Sequence, residues 1–365
     1  MRFSGFDDEW KTYKLKDLLH NKSSSISINQ LDDNVGNYPL YGASGFLKCI
    51  DFYEMDSDYI SIVKDGSGVG NISFHEKNTS VVNTSQYILP KENLNIHFIF
   101  YLLQTINLNK YKTGSTIPHI YFKDYSIEKV KIPKYDEQKK IGILLKNLDA
   151  KIEILDNKLQ MCQNFKKYLM QQIFTQKLRF NFDDEWKQYK LKDVLTVKSS
   201  SISINQLEEN TGDYPLYGAS GFLKNIDFCE MDVDYISIVK DGSGVGNLSF
   251  HEKNSSIVNT SQYLLPKKNF NINFLYYLLQ TINLMKYVNG SSIPHIYFKD
   301  YCIEKINIPS LDEQEKIGKL FVDVDITMEN LNKNINATQE FKKGLLQQMF
   351  VVQLILSLLQ NKKHI

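Results

Sequence analysis

The strongest constraint on this 365-residue chain is that it is one long unit written twice. Phe6-Asp7-Asp8-Glu9-Trp10-Lys11 returns as Phe182-Asp183-Asp184-Glu185-Trp186-Lys187, 176 positions later. The same offset carries Tyr38–Gly45 onto Tyr214–Gly221 and Lys64–Asn71 onto Lys240–Asn247 without a gap. Solenoid repeats have periods of roughly 20–50 residues, so this is a duplicated domain-sized module. Divergence between the copies is uneven. Most positions agree from 6 to 142, and most differ from 143 to 178. Each copy therefore has a globular part followed by a segment under other constraints.

The globular part reads as mixed α/β with many short strands. Tyr59–Val63, Ser80–Asn83 and Ile127–Ile132 are strand-like, with turn signals at Asp65-Gly66 and Pro90-Lys91. Ile96–Gln104 is apolar enough for either element. Its leucines, and Asn95 as an N-cap, favour helix.

The second part carries a helical pattern. Pro133 ends the preceding strand and Asp136 is a plausible N-cap. Apolar or small residues then fall at Ile141, Leu144, Leu148, Ile152, Leu155, Leu159, Cys162, Phe165, Leu169 and Ile173. The later copy gives Ile317, Leu320, Val324, Met328, Leu331, Ile335, Thr338, Phe341, Leu345 and Met349. Gaps of three and four throughout average close to the coiled-coil period. Each stretch predicts a helix of about 38 residues, or about 57 Å. A narrow apolar seam on a polar helix needs a partner, and the other copy supplies one. The fold expectation is α+β: two similar mixed α/β modules joined by two long helices in an intramolecular antiparallel coiled coil, with pseudo-twofold symmetry.

Other classes are disfavoured. Cys49, Cys162, Cys229 and Cys302 show no metal-ligand spacing. Met1-Arg2-Phe3 runs straight into acidic residues, unlike a secretory leader. Phe350–Leu359, the longest apolar run, is interrupted and too short to span a bilayer. A cytoplasmic, reduced protein with no membrane partner is expected. The net charge of +1 announces no nucleic-acid partner and weighs mildly against one, leaving a generic cytosolic protein as the alternative.

Each module closes with a strand, a proline and an acidic start to the long helix: Ile132-Pro133-Lys134-Tyr135-Asp136-Glu137-Gln138 and Ile308-Pro309-Ser310-Leu311-Asp312-Glu313-Gln314. With the Phe-Asp-Asp-Glu-Trp-Lys opening, the Tyr-Gly-Ala-Ser-Gly-Phe block and the Gly-Ser-(Thr/Ser)-Ile-Pro-His-Ile blocks at 114 and 290, the chain resembles type I restriction–modification specificity subunits. The resemblance implies target-recognition domains at 1–135 and 179–311. It implies spacer helices at 136–178 and 312–365, the latter with a C-terminal tail. It also implies partners: double-stranded DNA, two methyltransferase subunits and restriction subunits. This chain would hold no cofactor and no catalytic residue, while the complex would use S-adenosylmethionine, ATP and Mg. One departure matters. The two recognition domains of such subunits usually differ, and here they are nearly the same. Related by a twofold, they would read half-sites in opposite directions, which predicts an interrupted palindrome. A second departure is the apolar tail, where Val351–Leu356 replaces the polar linker Thr175–Phe180.

Candidate DNA contacts follow from loop chemistry. Lys64 and Ser67, with Lys240 and Ser243, lie in Gly-rich turns that are either phosphate cradles or plain hairpin connections. Ser115 and His119, with Ser291 and His295, suit phosphate or base-edge hydrogen bonds, or else serve loop geometry. Ser44 and Ser220 sit in the Tyr-Gly-Ala-Ser block, and Lys123 and Lys299 follow the histidines. Gln86 and Gln262 follow a strand and have the geometry to read adenine, or mark a solvated strand end. The alternatives to DNA reading are a nuclease or methyltransferase module and a protein-binding coiled-coil scaffold. Catalysis lacks a methylation motif, an S-adenosylmethionine loop and a carboxylate–lysine cluster.

Overall fold

The computed structural model describes residues 2–31, 34–207, 211–290 and 292–351. The apolar tail noted above lies outside them, apart from Val351. The architecture is mixed α/β, as expected. Strands β1 (Lys11–Lys14), β2 (Leu19–Ser23), β3 (Tyr38–Gly42), β4 (Gly45–Ile50), β5 (Tyr59–Val63), β6 (Ile72–His75), β7 (Ser80–Val81), β8 (Ser85–Pro90) and β9 (Lys129–Ile132) alternate with helices α1 (Leu15–Leu18), α2 (Ile96–Gln104) and α3 (Phe122–Tyr125). They lead into the long helix α4 (Tyr135–Phe174). The second copy repeats this order with α5 (Leu191–Val194), α6 (Ile272–Gln280), α7 (Phe298–Tyr301) and the long helix α8 (Leu311–Leu346), which runs on as a π turn to Val351. The chain divides into two compact units. One holds the chain to Asp156 and again from Lys333; the other is Asn157–Asn332.

In the first unit, one antiparallel sheet has the order β2-β8-β5-β6. A smaller sheet, β4-β3-β7, has β3 and β7 parallel. The apolar run Tyr59–Val63 is buried at every position because β5 lies between β8 and β6, with α2 against it. Asn95 caps α2 as expected, its Oδ1 accepting the Phe98 N–H at 3.0 Å. That cap aims Phe98, Ile99, Leu102 and Leu103 into the core. β1 pairs with β9, which brings the opening segment beside the start of α4.

The acidic helix start is an anchoring device. α4 begins at Tyr135, so Asp136 is not its N-cap. The Lys134 carbonyl accepts from both Glu137 and Gln138 N–H at 3.1 Å, placing Asp136 in the first turn, where the helix dipole favours a negative charge. Glu137 is buried and takes a two-pronged ion pair from Arg2, at 2.9 and 2.7 Å. Gln138, also buried, accepts from Asn95 N–H at 3.0 Å and donates to the Pro133 carbonyl at 2.9 Å. One glutamine thus ties strand end, long helix and α2 together. In the second unit, Arg179 grips Glu313 at 3.1 and 2.7 Å, and Gln314 bridges Asn271 and Pro309 at 2.9 and 3.0 Å.

In each unit the two long helices run antiparallel. In the first, Leu345, Met349 and Phe350 join the core around Trp10, Phe98, Ile141 and Leu145, while earlier on α8 Lys342 meets Asp149, further along α4. In the second, Phe174 stacks on Phe321 at 5.9 Å between centroids, while Lys166 meets Asp325 at 2.7 Å. Most seam positions are covered: Ile141, Leu169, Ile317, Ile335 and Leu345 are buried, and Leu144, Leu148, Leu155, Leu159, Leu320, Val324 and Leu331 are half-buried. Phe165 and Phe341 do not join the seam, being 53% and 57% exposed. The next residues, Lys166 and Lys342, turn inward instead. Their ammonium groups pair with Asp325 and Asp149 and lie 5.0 and 5.1 Å from the Tyr277 and Tyr101 ring centroids. Leu145 and Phe321 are fully buried beside the expected positions, each worth on the order of 2 kcal/mol.

Candidate nucleic-acid interface

In the first module, four loop segments meet. Lys64 and Asp65 donate their N–H groups to the Thr84 carbonyl at 2.8 and 3.1 Å. Gly66 N–H donates to the Pro118 carbonyl at 3.0 Å, and Ile120 N–H to that of Lys64 at 2.9 Å. Thr113 and His119 exchange backbone bonds of 2.9 and 2.8 Å. A Cβ on Gly68 would stand 3.0 Å from Ala43 Cβ, so the Tyr41–Phe46 hairpin abuts the same turn. Segments far apart in sequence, from Ala43 to Ile120, converge on Gly66–Gly68.

The Lys64–Asn71 turn is a hairpin connection between β5 and β6. Its Lys64, Asp65, Gly66, Val69, Gly70 and Asn71 N–H groups are all engaged within the protein, so a phosphate cradle built from them has no donors to offer. Side chains face outward instead. Ser44, Ser67, Ser115 and Lys123 are exposed, while Lys64 is half-buried beside Asp65 at 3.5 Å. His119 Nδ1 lies 3.3 Å from the Ile117 carbonyl, which can only accept, so Nδ1 is the donor of this contact. The His119 ring lies 5.1 Å from that of Tyr121, and Lys123 Nζ is 5.3 Å from the Tyr121 centroid. Tyr121 was not among the residues expected from sequence. An exposed aromatic between a histidine and a lysine was the available signal.

Gln86 is elsewhere. It is 3% exposed, and its Nε2 donates to the Tyr125 hydroxyl at 2.8 Å. β8 is an interior strand, so this glutamine supports the core of the module and does not reach a groove. Gln262 is half-buried, with Nε2 at 3.4 Å from Ser199 Oγ.

The second module builds the same cluster. Lys240 and Asp241 donate to Thr260 at 2.8 and 3.2 Å, Gly242 to Pro294 at 2.9 Å, and Ile296 to Lys240 at 2.9 Å. His295 and Asn289 exchange bonds of 2.9 and 2.7 Å. Ser220, Ser243 and Lys299 are exposed, with Lys299 Nζ 5.2 Å from the Tyr297 centroid. Ser291 lies outside the described residues. Lys112, whose side chain passes Gly70, has Val288 as its counterpart, so the clusters are close but not identical.

One pair has the look of a nucleophile and base. Ser61 Oγ lies 2.9 Å from His75 Nε2, and Ser237 from His251 likewise. Both pairs are sealed in the interior, and burial pushes each histidine down to about 4. Tyr59 and Tyr235 stack on the imidazoles at 4.9 and 5.0 Å. The pairs pack the core. Among the described residues no group of three His, Cys, Asp or Glu could hold a metal, and no helix is long and apolar enough to cross a membrane.

The family described as the type I restriction modification DNA specificity domain matches residues 7–162 and again 183–339. A putative type I specificity subunit of Mycoplasma pneumoniae is 24% identical over 357 residues, spanning 92% of this chain and 95% of that protein. The specificity subunit of a type I restriction enzyme of Methanocaldococcus jannaschii is 21% identical over 392 residues, spanning 93% and 91%. Among solved structures, a type I restriction–modification S subunit from M. genitalium superposes with a TM-score of 0.77 at 19% identity, covering 95% of this chain and 97% of that one. These likenesses agree with the duplicated mixed α/β fold and its two long helices, and they are to specificity components, a non-catalytic role. The chain belongs to the type I restriction modification DNA specificity domain family.

Proposed function

We propose that each loop cluster reads one half of an interrupted DNA site, and that the chain docks methyltransferase and restriction subunits that carry out the chemistry. The observation that carries this reading is the repeated cluster. Hydroxyls, a histidine and a lysine surround a backbone-pinned turn twice, 176 positions apart in sequence, on the same scaffold. Exposed Ser and Lys beside a half-buried His, on backbone-pinned loops, are side chains of the kind that meet base edges and phosphates. S-adenosylmethionine, ATP and Mg would belong to the partner subunits. Nearly identical readers on antiparallel helix pairs favour a target whose halves are inverted repeats.

The test is a gel shift with the methyltransferase subunits present, because a net charge of +1 predicts weak binding by the chain alone. Sequence-specific binding by the complex, weakened when His119 and His295 are both changed to alanine, supports DNA reading. Normal binding with lost methylation would favour a catalytic role instead.

A further inference from the structure

Each reading loop holds an apolar side chain out to solvent. Ile117 is 66% exposed and Ile293 is 67% exposed, in loops otherwise made of hydroxyls, a proline and a histidine. An isoleucine held in water forfeits the free energy that burial would return, and the backbone beside each isoleucine is pinned. A Cβ on Gly114 would stand 2.5 Å from the Ile117 carbonyl oxygen, and one on Gly290 would stand 2.4 Å from that of Ile293. Pro118 follows Ile117, its carbonyl bonded to Gly66, and the Ile117 carbonyl faces His119 Nδ1. The loop folds tightly back on itself and fixes where Ile117 stands, with the same geometry at Ile293, Pro294 and His295.

Resting on the DNA-reading proposal, we infer that Ile117 and Ile293 are specificity-determining residues that recognise the 5-methyl group of thymine in the major groove. The flanking chemistry chooses this occupant. Ser115, Thr116 and His119 beside Ile117, and Lys123 just beyond, suit base edges and phosphates. The thymine methyl is the one apolar feature on the base edges of that groove. Each half-site then contains a thymine at the position facing the isoleucine.

The experiment uses the full chain with its methyltransferase subunits, on duplexes carrying its own methylated motif. Each thymine is replaced in turn by deoxyuridine, which removes the methyl and leaves the pairing edge intact. At one thymine per half-site, the wild-type complex is expected to bind about fourfold more weakly, the value of one buried methyl-sized group. With Ile117→Ala and Ile293→Ala together, binding to the thymine duplex falls by about fourfold per half-site, about sixteenfold in all, and deoxyuridine at those positions no longer matters. Three results overturn the inference while leaving DNA reading intact: indifference of the wild type to every deoxyuridine, variants that still discriminate, or a half-site with no thymine on either strand. If the complex shows no sequence-specific binding at all, the DNA-reading proposal falls and takes this inference with it. Melting curves for the variants matching the wild type confirm that the exposed positions were changed without unfolding.

Discussion

Lys342, on the second long helix, places its ammonium 2.5 Å from Asp149 on the first, where the Tyr101 hydroxyl also donates at 2.6 Å. The second unit holds the exchanged pair, Lys166 with Asp325, and Tyr277 donating at 2.7 Å. Asp325 is the repeat counterpart of Asp149, and Lys342 that of Lys166. These lysines occupy seam positions, so they fix the register of the helices as well as their direction. Asp149→Lys should lower stability by about 1–2 kcal/mol, through broken hydrogen bonds and like-charge repulsion in a partly exposed site. Combining it with Lys342→Asp should recover part of the loss. A double-mutant cycle in urea checks this, and strict additivity would show that the pair is uncoupled.

Two helix glycines should respond in opposite directions to alanine. A Cβ on Gly142 would stand 2.7 Å from Asn95 Oδ1 and 3.0 Å from Phe98 N, displacing the cap of α2. Gly142→Ala should therefore destabilise by about 1–2 kcal/mol, the usual worth of a helix cap. Gly344 has nothing within 4 Å of its added Cβ. Gly344→Ala should stabilise by up to about 1 kcal/mol through helix propensity alone. Denaturation midpoints of the two variants test the contrast.

Acid should loosen both modules before their carboxylates titrate fully. His75 and His251 are pushed down to about 4 by burial, from an ordinary 6.5. Their folded values lie below the unfolded ones, so the unfolded chain takes up protons first. Stability is complete above about 6.5 and is lost as pH falls toward 4, on the order of 3 kcal/mol per histidine. The pair of changes His75→Gln and His251→Gln should flatten the stability profile across this window. An unchanged slope would mean the imidazoles titrate normally in the fold.

If Lys123 and Lys299 contact phosphate, changing both to alanine should weaken binding to specific and nonspecific duplexes alike. The slope of log affinity against log salt should fall by about 0.9 for each phosphate no longer neutralised. Titrations at several salt concentrations decide this, and a loss confined to one sequence would assign the lysines to base edges.

Much of the fold could be read in the chain because its signals are periodic. The 176-residue offset exposed the duplication, the three-and-four spacing located both long helices, and Asn95 marked the start of α2. Spacing could not say which of two neighbouring residues turns inward. Leu145 and Phe321 are buried because the module core widens the apolar face near each helix start, and Lys166 displaces Phe165 because an acidic partner and a tyrosine ring await it. The acidic helix start was recognisable as a motif. Its role as an Arg2–Glu137 clamp was not, since those residues are far apart in sequence. Gln86 misled for a similar reason: a polar residue on an interior strand pairs with Tyr125, which sequence order does not reveal.

Whether the twin modules read twin half-sites is settled most directly by sequencing the methylated bases in cells that carry this subunit with its methyltransferase. The account predicts one interrupted motif whose two halves are inverted copies of each other, or differ at a single position. Two unrelated half-sites would contradict it.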